Sequence, residues 1–453
     1  MSMKAVFEGG TIHGGEVRVG GFKHAFVTLL ATAVAANAAV EIRRVPRILD
    51  VTVLLEILER NGARVHQQDD AVVIDPRRLS QSLIHTELSR QIHGAIYLIP
   101  AFLARLGRVE FGSMGGCRIG DTTQEGSRPV GHVIEVMKRY GARFRHRDGY
   151  MVGETDGLVG TTVDIRGFST SPHGLAGPHC SGATKTAMIA ACNATGPSEI
   201  IKPYRKIDAV VPLDLLHQLG FAVHRGADVV SIVAPQCRNH DGISMELPPD
   251  LAEIVTYIAA AVHLKVPITL PSVSRELCES AFWAELELLH RIGVEYTWQN
   301  DGLVVRGDRT RVRPIDIDVT CESIYSDHQP FFALMLLSAP GSSRIRDEVW
   351  KDRFDYASKL RILGARMTVP NRGTLQIDQS VLSADAVELH ATDLRAAAAL
   401  SLALIGVHGR NSLTGIEHLH RGYESFFPTL QRLGAEIKVL ESADEAEVHD
   451  RTD

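Results

Sequence analysis

Leu58-Glu59-Arg60-Asn61-Gly62 closes a run in which polar and apolar residues follow a helical period. The phrase returns five times, as Met137-Lys138-Arg139-Tyr140-Gly141, Leu216-His217-Gln218-Leu219-Gly220, Leu289-His290-Arg291-Ile292-Gly293, Leu360-Arg361-Ile362-Leu363-Gly364 and Leu430-Gln431-Arg432-Leu433-Gly434. From the residue numbers, successive glycines stand 79, 79, 73, 71 and 70 positions apart. A helix that ends in a left-handed residue selects Gly there, because Gly adopts that conformation without a Cβ clash. Self-similarity at a fixed period marks a repeat architecture.

The copies share more than the glycine. Upstream of each lies an almost wholly apolar stretch: 25–36, 94–106, 183–191, 251–264, 331–338 and 396–405. A helix apolar all round must be buried on all sides. A short strand follows each, such as Val40-Glu41-Ile42, 268–270 or 343–345. Then come the amphipathic helix, its Gly, and two alternating strands such as 71–75 or 303–306. The unit reads βαβαββ. The chain of 453 residues is too long for one core. Six units therefore predict an α/β protein of two domains, three units each, with sheets around buried helices as an inside-out α/β barrel. Pro248-Pro249, between the third and fourth units, is the expected crossover.

Composition narrows the function classes. Hydrophobic residues make up 45% of the chain and the net charge is −6, which gives no reason to expect nucleic acid. The longest apolar stretch, 396–407, falls short of a membrane span, and no signal peptide is visible. The six cysteines form no framework pattern and read as free thiols in a reducing cytoplasm. The acidic, aperiodic tail 441–453 is expected to be disordered.

Charged and polar residues collect where the apolar helices begin: Lys23 and His24, His93, Ser181-Gly182, Asp250 and Glu253, Asp327 and His328, Asp393 and Arg395. Helix N-termini favour anions, so such ends, shared between two domains, predict a cleft for phosphate and carboxylate. An Arg also precedes each amphipathic helix: Arg47, Arg128, Arg205, Arg275, Arg353 and Arg421. Its planar fork matches carboxylate and phosphate. Arg47 and Arg275 are expected in surface ion pairs and the other four in anion binding. Met114-Gly115-Gly116-Cys117-Arg118-Ile119-Gly120 sets a thiol among glycines beside Arg, where exposure and a lowered pKa are expected. Twenty histidines form no HExxH, and His418 and His420, alternating as on a strand, are expected to be structural or on the surface.

Five of these segments together resemble the enolpyruvyl transferase family: Gly115-Gly116-Cys117, Arg128-Pro129-Val130, Asp352-Arg353-Phe354, Ala391-Thr392-Asp393-Leu394-Arg395 and Arg421-Gly422-Tyr423-Glu424. The resemblance runs from about Phe7 to Lys438, and the Cys loop favours the UDP-N-acetylglucosamine 1-carboxyvinyltransferase branch over the shikimate-phosphate branch. It implies domains of 23–248 and of 1–22 with 249–440. It implies phosphoenolpyruvate and a uridine-nucleotide acceptor as small-molecule substrates, and no metal or other cofactor.

The implied roles follow the same segments. Lys23, Arg128 and Arg421 hold the phosphate of phosphoenolpyruvate, with His24 and Asp393 beside it. Arg353 and Arg395 engage its carboxylate or the tetrahedral intermediate. Cys117 is a general acid or transient nucleophile, and Asp327 the base on the acceptor hydroxyl. Pro129 and Val130 line the uracil site with Arg128, and His93, Ser181, Gly182 and Val349 complete the acceptor set. The chain departs from the family at His24, His93, Gly131, the lengthened 121–127 and Pro178-His179-Cys180-Ser181-Gly182. These departures fall mostly on the acceptor. They admit a specialised relative acting on uridine monophosphate, like the enzymes of nikkomycin- and polyoxin-type pathways, or a catalytically retired nucleotide-binding paralogue.

Overall fold

The computed structural model describes residues 3–10, 12–117, 119, 129–236, 242–300 and 302–441. Arg128, the lengthened stretch 121–127 and the tail 442–453 therefore lie outside the described residues. Glu441, read as the start of the tail, instead ends the strand Glu436–Glu441, paired with Met3.

The described residues fall into two compact units. The first takes Gly21–Gly116 and Thr122–Pro248, the second Met1–Gly20, Cys117–Asp121 and Pro249–Asp453. Three central helices pack on one another in the first: α1 (Lys23–Ala36), α2 (Leu98–Leu106) and α3 (His179–Ala191). Three pack likewise in the second: α4 (Leu251–Leu264), α5 (Gln329–Leu336) and α6 (Leu394–Ile405). Almost every residue of these helices is buried, as their unbroken apolarity requires.

Several helices start up to four residues before the apolar stretch. Apolarity marks the depth of the core rather than the helix start. Lys23, Ser181 and Arg395 thus lie within first turns. The stretch 94–106 is not one helix: a 3-10 turn, Gly94–Tyr97, leads into α2, whose third residue is Pro100.

Each repeat contributes one four-stranded sheet, and hydrogen bonding stays within each sheet rather than closing a continuous barrel. In every sheet a first strand runs parallel to the strand after the central helix; in five of them a hairpin then adds antiparallel. Three sheets draw a strand from a distant part of the chain. Ile243–Glu246 pairs with Val40–Arg43, Gly15–Glu16 with Pro267–Leu270, and Met3–Gly9 sits between Gly409–Thr414 and Glu436–Glu441. All six repeat glycines have φ between 86° and 101°, so the turn after each amphipathic helix needs a residue without Cβ.

Candidate active site

In the second unit, Asp393 caps α6: its Oδ1 accepts from the backbone N–H of Arg395 (2.9 Å) and Ala396 (3.2 Å). The cap sets Arg395 at the second helical position, completely buried. Arg395 Nε donates to Asp327 Oδ2 at 3.0 Å, and Arg353 Nη1 donates to Asp327 Oδ1 at 2.5 Å. Arg353 Nη2 lies 3.7 Å from Asp393 Oδ1. Gln329, opening α5, donates to the Arg353 carbonyl (2.7 Å) and is held by the Tyr356 hydroxyl (2.6 Å). Arg395 also lies over the Tyr423 ring, 5.2 Å from its centroid. Burial pushes the Tyr423 phenol up to about 12, so it stays neutral.

The donors left over define the chemistry. Arg395 Nη1 and Nη2 and Arg353 Nε are buried with no hydrogen-bond partner among the described residues. A buried guanidinium with idle donors is costly, and a carboxylate or phosphate satisfies it with charge-assisted bonds. The sequence predicts anion binding by free helix N–H groups as well as by arginines. In this unit Asp250 and Asp393 already cap α4 and α6, so the guanidinium groups carry that part. Glu253, in the first turn of α4, accepts from the Gly20 N–H at 2.9 Å. Burial and the neighbouring Asp250 raise its carboxyl to about 8.

Cys117 belongs to the same unit. It is buried, not exposed as its glycine-rich surroundings suggested. Arg421 Nη1 donates to its Sγ at 2.8 Å, and His418 forms a second side-chain hydrogen bond to the sulfur. Burial alone would raise this thiol, but His418 and Arg421 outweigh it, so the pKa falls below the ordinary thiol value. His418 moves the opposite way, raised chiefly by its bond to Cys117. Sequence reasoning missed His418 by placing 417–421 on a strand. Ile416–Arg421 is a 3-10 helix, in which residues three apart share a face. His418 and Arg421 are three apart; His420 points to solvent. Val349, the acceptor-sugar residue of the resemblance, is half-buried and donates its N–H to Asp347 Oδ1 at 2.9 Å.

In the first unit, Lys23 is buried with its Nζ 3.2 Å from Asp50 Oδ2. His24 is half-buried, edge-on to Phe22. His93 precedes the 3-10 turn into α2. Pro129 is exposed, and Val130 caps the helix Gly131–Arg139. That helix packs on α3. Across the contact, Nδ1 of His132 and Nδ1 of His179 lie 3.2 Å apart. A Cβ on Gly182 would come 2.1 Å from His132 Nε2, so the imidazole rests directly on that glycine. Burial, then the neighbouring His179, lowers the His132 pKa to about 3; burial also lowers that of His179. The structure thus brings 129–132 and 179–182 together through two uncharged imidazoles. Half-buried Ser181 hydrogen-bonds Tyr97. The buried pair Lys185–Asp208, flanked by the Tyr97 and Tyr204 rings, carried no sequence signal beyond a Lys within an apolar helix.

Arg205 is exposed and bonded to the carbonyls of Gly226 and Ala227, so it clamps a loop rather than an anion. Arg47 and Arg275 are exposed too, bonded to the Asp69 carbonyl and to Glu279. Among the described residues, no group of three or more His, Cys, Asp or Glu is placed to hold a metal ion. No described helix is long and apolar enough to cross a membrane.

Residues 8–430 match the family model described as EPSP synthase (3-phosphoshikimate 1-carboxyvinyltransferase). The chain is 30% identical over 441 residues to UDP-N-acetylglucosamine 1-carboxyvinyltransferase 2 of Streptococcus mutans, covering 97% of this chain and 99% of that one. It is 29% identical over 437 residues to the protein of that name from Bacillus anthracis, covering 96% of each. Its fold superposes on the enolpyruvyl transferase NikO from Streptomyces tendae with a TM-score of 0.89 and 32% identity, covering 97% of this chain and 99% of that one. EPSP synthase from Acinetobacter baumannii shares the fold at a TM-score of 0.71 and 16% identity, covering 97% and 100%. With the whole repeat array matched, the chain belongs to the EPSP synthase (3-phosphoshikimate 1-carboxyvinyltransferase) family and is an enolpyruvyl transferase.

Proposed function

We propose that this enzyme transfers the enolpyruvyl group of phosphoenolpyruvate to a hydroxyl of a uridine nucleotide and releases phosphate, with UDP-N-acetylglucosamine the default acceptor. The observation that carries the reading is the buried Arg395 fork, whose two Nη groups have no partner among the described residues while Nε is tied to Asp327. A planar carboxylate is the anion such a fork fits. Asp327 removes the proton of the acceptor hydroxyl as its oxygen adds to C2, and the Cys117 thiol protonates C3. Arg421 supports the phosphate together with Lys23 and Arg128. When the C2–O bond to phosphate breaks, C3 returns its proton to Cys117 and the vinyl group is restored. His24 and Asp393 border the phosphoenolpyruvate, and His93, Pro129, Val130, Ser181, Gly182 and Val349 border the acceptor.

A second reading, uridine monophosphate as acceptor, is favoured by the His132 ring resting on Gly182 at the start of α3. Two uncharged imidazoles occupy volume there and add no cation for a second phosphate. Likeness to NikO supports this reading as well.

The test is an acceptor panel of UDP-N-acetylglucosamine, uridine monophosphate and shikimate 3-phosphate with phosphoenolpyruvate, read as phosphate release. Turnover with UDP-N-acetylglucosamine alone supports the default and removes the second reading; turnover with uridine monophosphate alone does the reverse. Cys117→Ser and Asp327→Ala should each abolish most of the release. Binding of phosphoenolpyruvate with no turnover on any acceptor would overturn the proposal in favour of a retired paralogue.

A further inference from the structure

We propose that His418 is the proton partner of Cys117: a positioning residue that hydrogen-bonds the sulfur and shares with it the one proton used at C3. The inference rests on the role of Cys117 as acid given above, and not on which acceptor is used.

Gly415, with φ of 75°, opens the 3-10 helix that carries His418, and a Cβ there would meet the Ala391 carbonyl at 2.2 Å. The turn is therefore seated against the backbone just ahead of Asp393. Three apart on that helix, His418 and Arg421 both hydrogen-bond one sulfur. The two partners are not equivalent. Arg421 keeps its charge at any working pH and gives no proton. His418 alone of the two can hold a proton near neutral pH and pass it on.

The charges around the pair favour this. Cys117 faces His418, Arg421 and, opposing them, Asp393. His418 faces Cys117, Glu417 and Asp393, all of which favour the imidazolium against its partial burial. Glu417 Oε2 is itself buried with no hydrogen-bond partner among the described residues. The proton balance is closed. Thiol and imidazole share one proton; it leaves from sulfur as the C3–H bond forms from the C2=C3 electron pair. The remaining thiolate is held by Arg421 and the now neutral imidazole. On elimination the C3 proton returns to the same pair, and the C2=C3 bond reforms as phosphate departs.

The test is alkylation of Cys117 by iodoacetamide across pH, followed peptide by peptide to separate it from the other five cysteines, in wild type and His418→Gln. The expected result is an upward move of the midpoint by about one pH unit, a roughly tenfold fall in thiolate near pH 7. The kcat profile should shift with it, while KM for phosphoenolpyruvate changes by less than about threefold, ~0.6 kcal/mol. A reciprocal measurement guards against a variant that folds poorly: by NMR, the His418 imidazole should titrate lower in Cys117→Ser than in wild type. An unmoved alkylation midpoint in a folded His418→Gln, or an unmoved His418 titration in Cys117→Ser, overturns the proposal. Either result leaves the transferase reading intact, since neither measurement involves the acceptor. A failed acceptor panel in turn leaves the thiol titration to stand or fall alone.

Discussion

Replacing Arg395 by Met separates what the guanidinium does for the fold from what it does for the substrate. In the free protein Arg395 is completely buried, and its Nε is tied to Asp327 while Nη1 and Nη2 have no hydrogen-bond partner among the described residues. Met fills similar volume beside Tyr423 without idle donors. Asp327 keeps Arg353, and its side chain is 24% exposed. Removing one partner of a buried ion pair is costly when the other is left buried and unpaired; Asp327 is neither, since it keeps Arg353 and is partly exposed. The unliganded Arg395→Met protein should therefore melt no lower than wild type. Substrate binding should move the other way. Two charge-assisted hydrogen bonds from Nη1 and Nη2, at about 1.5–3 kcal/mol each, make about 3–6 kcal/mol, or roughly 10²–10⁴ in affinity. Calorimetric titration with phosphoenolpyruvate, with melting curves taken with and without it, reads both effects. The ligand-dependent rise in melting temperature should vanish in the variant. Affinity within about threefold of wild type, ~0.6 kcal/mol, would refute the assignment of the fork to the carboxylate. A large loss of stability in the free variant would show that Arg395 serves the fold.

Three further outcomes follow from the same geometry. The Glu253 carboxyl, raised to about 8, stays protonated in the fold while the unfolded chain ionises near 4.5; stability should fall as pH rises between these values, by up to about 1.4 kcal/mol per unit, and Glu253→Gln should flatten that slope in urea melts. Lys185→Met leaves Asp208 buried without its cation and should cost about 3–5 kcal/mol, most of it recovered when Asp208→Leu is added, as read by denaturant unfolding. Gly182→Ala drives a Cβ into His132 Nε2; an overpacking cost of about 1–3 kcal/mol should appear as roughly 5- to 150-fold in KM for the acceptor with KM for phosphoenolpyruvate unchanged, and equal effects on both would count against an acceptor role for 179–182.

The repeat was legible because each of its signals is local. A Gly with φ near 90° after an amphipathic helix, and a stretch with no polar face, follow from backbone sterics and burial, which act on neighbouring residues. Cys117, Asp327, Arg353, Asp393, Arg395 and Arg421 could be picked out as charged or reactive groups at element ends. Their burial and pairing could not. Cys117 looked exposed because its own segment is rich in glycine, whereas its cover comes from Arg421 and His418, some three hundred residues away in sequence. His418 looked incidental because its relation to Arg421 depends on a 3-10 turn rather than a strand. The His132–His179 contact joins two elements whose sequences carry no mark of each other.

By itself, the amino-acid order determined the six-fold βαβαββ unit, the depth of its central helices and the residue types gathered at their ends, because periodicity and propensity are read over a few residues. Tertiary structure alone decided which donors remain free. Asp250 and Asp393 use the helix N–H groups, Asp327 uses one edge of each guanidinium, and the Arg395 Nη groups are left without a partner among the described residues. Satisfaction of a buried polar group depends on what lies within about 3 Å of it, and that is set by packing between segments far apart in the chain.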